Sequence, residues 1–166
     1  MEKFYLDTNI IFSYFLKKLF EKKGKQIEAR VANFLIISSK NVKYVVSILT
    51  KAEIIRKLRS EFSFEKEDIE KAWNDFISEV SPDYTQVSQS VEEIYREIIS
   101  IVLDIPIKKR VTNLEHLIVA KKNNLIFVTG DREIAEKCRK FYEKIWSYNK
   151  LRGFYERRND LKLQKK

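Results

Sequence analysis

Short apolar runs alternate with longer segments of helical periodicity along this chain, and that alternation limits the possible folds more than any other feature. The clearest runs are residues 4–6 (FYL), 44–46 (YVV) and 125–129 (LIFVT), and each is followed by a helix-like segment. A further strand is expected within residues 143–148, and a helix is expected over residues 25–39. Strands that alternate with helices are typical of a mostly parallel sheet covered on both faces. The sequence therefore predicts an α/β fold.

The length of 166 residues fits one domain. No internal repeat or low-complexity linker divides the chain before its basic end. We therefore expect one domain over residues 1–149 and a basic C-terminal tail over residues 150–166.

Positive charge is concentrated in two segments. The formal net charge is +9, and residues 17–30 (net +4) together with residues 150–166 (net +5) hold the whole surplus. A basic surplus of this kind favours a polyanionic partner such as RNA. Both segments are equally compatible with ordinary solvated surface.

Several classes of protein are not expected. The single cysteine, Cys138, cannot form an internal disulfide or a cysteine-based metal site. No apolar stretch reaches the roughly 18 residues that span a membrane, and no signal segment precedes the first strand. We expect a cytoplasmic protein without a membrane partner, in which any metal ion has oxygen ligands.

Acidic or amide residues follow the predicted strands at four places: Asp7, Glu53, Asn113 and Asp131. Because parallel strands end at one edge of a sheet, these side chains are expected to converge there. Carboxylates that share one crevice repel each other and need a cation. Oxygen ligands suit Mg²⁺ or Mn²⁺, either of which can activate water against a phosphodiester.

The same residues also have a structural interpretation as helix caps. Asp7 and Asp131 each precede a predicted helix, where a side-chain oxygen accepts the unpaired amides of the first turn. The S/T-x-x-E spacing of a capping box occurs at Thr50–Glu53 and at Thr112–Glu115. For any one of these residues alone, capping is a sufficient explanation.

Four segments resemble, in order, the motifs of PIN domains, metal-dependent ribonucleases that include the VapC-type toxins of toxin–antitoxin pairs. The segments are YLDTNII, VVSILTKAEII, TNLEHLIVA and FVTGDREI, and the resemblance spans residues 3–148. It implies a three-layer α/β/α fold with a central, mostly parallel sheet. Asp7, Glu53 and Asp131 match the first, second and last acidic positions of the family, while Asn9 and Thr129 match residues that line its site.

One position departs from the family pattern. The third acidic position falls on Asn113, whose amide oxygen can bind a metal ion but brings no charge. Glu115 is a candidate replacement, although it points about 200° away from Asn113 around the helix. His116, the only histidine, faces a direction similar to that of Asn113, so it either reaches the site or is simply packed or hydrogen-bonded.

The leading hypothesis is a divalent-metal-dependent endoribonuclease of the PIN type, in which Asp7, Glu53, Asp131 and Asn113 hold Mg²⁺ or Mn²⁺ and water attacks RNA. The toxin resemblance also implies a homodimer and an antitoxin protein as partner. The main alternative is a catalytically attenuated PIN-like RNA-binding or regulatory module, because Asn113 replaces an acid. A weaker alternative is a phosphoacceptor or phosphatase-like protein with Asp7 as nucleophile.

Overall fold

Five short parallel strands form one sheet in the computed structural model, which describes residues 2–87 and 90–163. The strands are β1 (Lys3–Leu6), β2 (Lys43–Val46), β3 (Asp83–Tyr84), β4 (Ile126–Thr129) and β5 (Ile145–Ser147). Their order across the sheet is β3-β2-β1-β4-β5, and each neighbouring pair is parallel. Strand β1 is central, with Tyr5 paired to Val45 on one side and to Phe127 on the other.

Helices connect the strands and cover both faces of the sheet. They are α1 (Thr8–Lys22), α2 (Arg30–Ser38), α3 (Ile48–Ser60), α4 (Lys66–Val80), α5 (Val91–Asp104), α6 (Val111–Lys122), α7 (Arg132–Lys137) and α8 (Tyr148–Leu163). A 3₁₀ turn, Cys138–Lys140, follows α7. No helix among the described residues is both long enough and apolar enough to cross a membrane.

The sheet separates two hydrophobic cores, because successive residues of a strand point to opposite faces. Phe4 and Leu6 pack into the core formed with α1, α2, α3, α4 and α8. Tyr5 points the other way, into the core formed with α5, α6 and α7. The expected three-layer α/β/α fold with a parallel sheet is therefore confirmed.

Two segments differ in detail from the sequence-based expectation. The helix expected over residues 25–39 begins only at Arg30. The basic segment of residues 150–166 starts inside α8, where Leu151 is fully buried and Phe154 packs against the first core. The first part of this segment thus belongs to the folded layer, whereas residues 164–166 lie outside the described residues.

Candidate functional site

The candidate site lies at the edge of the sheet where β1, β2 and β4 end. Asp7 follows β1 directly, Ser47 follows β2, and Thr129 is the last residue of β4. The backbone amide of Asp7 donates to the carbonyl of Val128 at 2.9 Å, which joins the ends of the two central strands. Parallel pairing therefore places side chains from distant parts of the sequence side by side.

Asp7 is bound by neighbouring side chains and does not cap helix α1. Its Oδ2 atom accepts hydrogen bonds from Thr129 Oγ1 at 2.6 Å and from Asn9 Nδ2 at 2.8 Å. Burial raises the pKa of Asp7, and the nearby Glu53 raises it further, against the opposing effects of His116 and Thr129. A buried carboxylate of this kind is stabilised by a nearby cation.

Glu53 is the sixth residue of α3 and points back toward Asp7. Its Oε2 atom accepts a hydrogen bond from Thr8 Oγ1 at 2.5 Å and lies 3.2 Å from His116 Nε2. Burial favours the neutral acid, but the bonds from His116 and Thr8 outweigh it and lower the pKa of Glu53. The carboxylate is therefore held in its charged form at neutral pH.

His116 is buried and held by both ring nitrogens. Nε2 contacts Glu53, while Nδ1 lies 2.8 Å from the hydroxyl of Tyr5, which in turn lies 2.6 Å from Ser47 Oγ. Burial alone would lower the pKa of His116, but Tyr5, the hydrogen bond with Glu53 and the negative charge of Asp7 raise it to about 10. A protonated ring donates from both nitrogens, so the Tyr5 hydroxyl accepts from His116 and donates to Ser47.

Asp131 caps helix α7, as one of its two sequence-based interpretations predicts. Its Oδ1 atom accepts hydrogen bonds from the amides of Glu133 at 3.0 Å and Ile134 at 3.3 Å. Its Oδ2 atom accepts one from Asn113 Nδ2 at 3.2 Å. Asn113 therefore reaches the site, where it acts as a hydrogen-bond donor to the carboxylate.

Both expected capping boxes are wrong. Helix α3 begins after Ser47, whose amide donates to Thr50 Oγ1 at 3.4 Å, so Thr50 lies inside the first turn. Helix α6 begins after Arg110, which places Thr112 at its second residue. Glu115 lies beside Tyr95 of α5, and its carboxylate raises the pKa of the Tyr95 hydroxyl. The expected caps fail because each helix starts earlier than the sequence pattern indicates.

Hydrogen bonds at this edge form two networks, one through Asp7, Asn9, Thr129, Asp131 and Asn113 and the other through Glu53 and His116. Glu115 instead lies beside Tyr95 of another helix. Thr8 and Lys109 were not among the predicted site residues, although both contact carboxylates of the site. The Thr8 hydroxyl contacts Glu53, and Lys109 Nζ lies 3.6 Å from Asp131 Oδ2. The signal for Lys109 was present in the sequence, as three consecutive basic residues precede the helix that carries Asn113.

The donor set at this edge fits one divalent cation better than a cage of three carboxylates. Among the described residues, no three Asp, Glu, His or Cys side chains form a group that could hold a metal ion. Both carboxylate oxygens of Asp131 accept hydrogen bonds. In Asp7 and in Glu53, by contrast, the hydrogen bonds from other side chains all go to a single oxygen, Oδ2 and Oε2 respectively. Mg²⁺ is commonly held by one or two carboxylates together with substrate phosphates, and Asp7 and Glu53 are the two carboxylates here that could hold it.

Comparison with known proteins identifies the architecture. No family model and no curated protein matches the chain. Among solved structures, a chain in the crystal structure of VapBC2 from Rickettsia felis bound to a DNA fragment from their promoter is similar, with a TM-score of 0.59 and 17% sequence identity. The match covers 87% of this chain and 98% of that one. The chain has a PIN-like fold.

A second similar structure is FitAcB from Neisseria gonorrhoeae, with a TM-score of 0.46 and 19% identity over 77% of this chain and 87% of that chain. At these identities the likeness concerns the fold alone.

Proposed function

We propose that this protein is a divalent-metal-dependent endoribonuclease whose site lies between Asp7 and Glu53. The observation that supports the proposal is the electrostatic coupling of Asp7 and Glu53 at one sheet edge of a PIN-like fold, with Asp131 linked to Asp7 through Thr129. Glu53 lies close enough to Asp7 to raise the pKa of its carboxyl. A site that concentrates negative charge in this way is suited to bind a cation.

In the proposed reaction, Asp7 and Glu53 would hold Mg²⁺ or Mn²⁺, and the bound ion would supply an activated water and positive charge for the phosphodiester. Thr8 and His116 hold Glu53, and Thr129 and Asn9 hold Asp7, so both carboxylates are oriented before the ion binds. The oxygen of a water molecule would bond to phosphorus as the bond to the leaving ribose oxygen breaks, and the proton that the water loses would be balanced by protonation of that leaving oxygen. The basic surplus of the chain supports a polyanionic substrate.

The decisive experiment measures cleavage of end-labelled, single-stranded RNA of random sequence with Mn²⁺. We expect Asp7→Asn and Glu53→Gln each to reduce the rate on the order of a hundredfold, because metal coordination contributes several kcal/mol. Glu70→Gln is the matched control, since Glu70 is exposed on α4 and pairs only with Lys66 at 3.8 Å among the described residues. Unchanged cleavage by Asp7→Asn would reject the proposal.

A second candidate function is a catalytically attenuated module that binds RNA or regulates another protein. The observation that favours it is Asn113, a neutral donor to Asp131 at the place where the family resemblance implies a third acid. In this case the fold and the RNA-binding surface are retained while metal affinity is weak. The unaltered protein would then bind the RNA without cutting it.

Two protein partners belong to the proposal: an antitoxin and a second copy of the chain. Helix α5 has apolar side chains on its outer side, with Val91 73% and Leu103 81% exposed. Contiguous apolar surface is uncommon on monomers, and an apolar stripe can pair with itself across a two-fold axis. We therefore assign this side of α5 to a homodimer, which light scattering should show as a dimer that Leu103→Glu converts to a monomer.

A further inference from the structure

Three consecutive basic residues, Lys108, Lys109 and Arg110, lie in the loop directly before helix α6. The middle one reaches the candidate site, with Lys109 Nζ 3.6 Å from Asp131 Oδ2. The Lys109 side chain is 51% exposed, whereas that of Asp131 is only 5% exposed. One end of this ion pair is therefore buried in the protein, while the other is half-exposed to solvent beside the candidate site.

The loop that carries Lys109 is tied to helix α7, whose first turn is capped by Asp131. The backbone amide of Lys108 donates to both carboxylate oxygens of Glu133, at 3.1 and 3.2 Å. Lys137 Nζ donates to the carbonyl of Pro106 at 2.7 Å. These bonds keep the Lys109 backbone close to Asp131, so their ion pair follows from the fold.

Asp131 is left with little capacity to bind a metal ion. Two backbone amides of α7 occupy Oδ1, while Asn113 and Lys109 share Oδ2. The ammonium neutralises the carboxylate, and the neutral amide of Asn113 adds no second negative charge. A divalent ion at Asp131 would have to displace Lys109 and lose part of its own hydration.

We propose that the Lys109 ammonium takes the place of a second metal ion at Asp131 and contacts the RNA phosphate on that side of the crevice. The inference rests on the proposed function, since it names a residue that binds the same substrate. A lysine provides a compact positive charge with three donors on a flexible stem, so it can pair with Asp131 and also meet a phosphate oxygen. The site then holds one divalent ion, at Asp7 and Glu53.

The first test counts Mn²⁺ ions by titration in the absence of RNA. We expect one ion per chain in the unaltered protein, one ion bound on the order of tenfold more weakly in Asp131→Asn because a nearby negative charge is lost, and none in Asp7→Asn. Lys109→Met should bind the ion on the order of tenfold more tightly, because a nearby positive charge has been removed. Lys66→Met is the control, since Lys66 is an exposed lysine of α4 in a surface ion pair.

The second test measures binding of single-stranded RNA in EDTA by fluorescence anisotropy across a range of salt concentrations. Loss of one phosphate contact in Lys109→Met should weaken binding and reduce the slope of log affinity against log salt by about 0.7, with no such change in Lys66→Met. Removal of Lys109 should therefore strengthen metal binding and weaken RNA binding, a pair of opposite effects that a merely structural lysine would not produce.

Two Mn²⁺ ions in the unaltered protein, no bound ion at all, or an ion lost in Asp131→Asn would overturn the inference. An unchanged salt slope in Lys109→Met would also overturn it. A protein that binds one ion and RNA as expected but does not cut RNA would reject the proposed function and leave the role of Lys109 intact.

Discussion

The hydroxyl of Thr129 donates a hydrogen bond to Asp7 Oδ2 at 2.6 Å, although the two residues are 122 positions apart in the sequence. The same hydroxyl accepts a bond from the backbone amide of Asp131 at 3.0 Å. A hydroxyl has one proton and two lone pairs, so it can serve both contacts at once. Thr129 thus fixes the positions of two acidic residues of the candidate site relative to each other.

Replacement of Thr129 by valine should lower the free energy of unfolding by about 1.5–3 kcal/mol at pH 7, because a buried carboxylate loses a charge-assisted hydrogen bond. Thr129→Ser retains the hydroxyl and should recover much of this loss. Urea unfolding of the three proteins in EDTA measures the difference. Equal stability of the valine and serine variants would show that the contact with Asp7 contributes nothing.

The buried Asp7 carboxyl should make the metal-free protein less stable as the pH rises. Its pKa in the folded state lies above the ordinary value of 3.8, so the folded protein retains the proton more strongly than the unfolded chain does. Stability therefore decreases as the pH rises from about 3.8 through the folded pKa. Asp7→Asn should be more stable than the unaltered protein at pH 7, by on the order of 1 kcal/mol, and equally stable near pH 3.8. Urea unfolding in EDTA at both pH values measures the difference in the free energy of unfolding. An equally large stabilisation by Asp7→Asn at low pH would show that the ionised Asp7 carboxylate is not its cause.

His116 should have the opposite effect on the pH dependence. Its folded pKa is raised to about 10 from the ordinary 6.5, so its protonated form contributes stability that is complete below pH 6.5 and is lost as the pH rises toward 10. His116→Phe should cost about 2 kcal/mol at pH 6, because charged hydrogen bonds to Glu53 and Tyr5 are removed. The cost should be clearly smaller at pH 10. His116→Gln, which can hydrogen-bond without a charge, is the control. Its free energy of unfolding should differ from that of His116→Phe by nearly the same amount at pH 6 and at pH 10.

Asn113→Asp distinguishes an efficient nuclease from an attenuated module. In EDTA the new carboxylate repels Asp131 and should destabilise the protein by about 2 kcal/mol, and added Mn²⁺ should reverse the loss. A large gain in Mn²⁺ affinity and RNA cleavage would mark the natural protein as attenuated. Efficient cleavage by the unaltered protein would instead remove that alternative. Asn74→Asp, an exposed change on α4, is the control for added negative charge.

The pattern of strands and helices could be predicted because it depends on local periodicity. Residues 4–6, 44–46 and 125–129 are apolar on both faces, as expected for strands buried between two helical layers, and all three contribute to the parallel sheet. Helix boundaries were less predictable. The Thr50–Glu53 spacing indicated a cap, but Ser47 precedes that helix and Glu53 points into the site instead.

The side-chain roles could not be predicted from local pattern. Asp7 and Asp131 both directly precede helices, yet Asp131 caps its helix whereas Asp7 bonds to Thr129 and Asn9. The difference arises because Asp7 follows the central strand, where a partner from β4 is within reach. Thr8 was likewise indistinguishable in the sequence from an ordinary helix-start residue, although its hydroxyl holds Glu53.

The sequence by itself determined the alternation of strands and helices, the order of the acidic residues and the neutral Asn113 among them, since each of these is a property of neighbouring residues. Only the tertiary structure decided that Thr129 meets Asp7, that His116 holds Glu53 and that Lys109 neutralises Asp131. Those contacts join residues far apart in the chain, and their distances are set by strand pairing and helix packing, which no local pattern specifies.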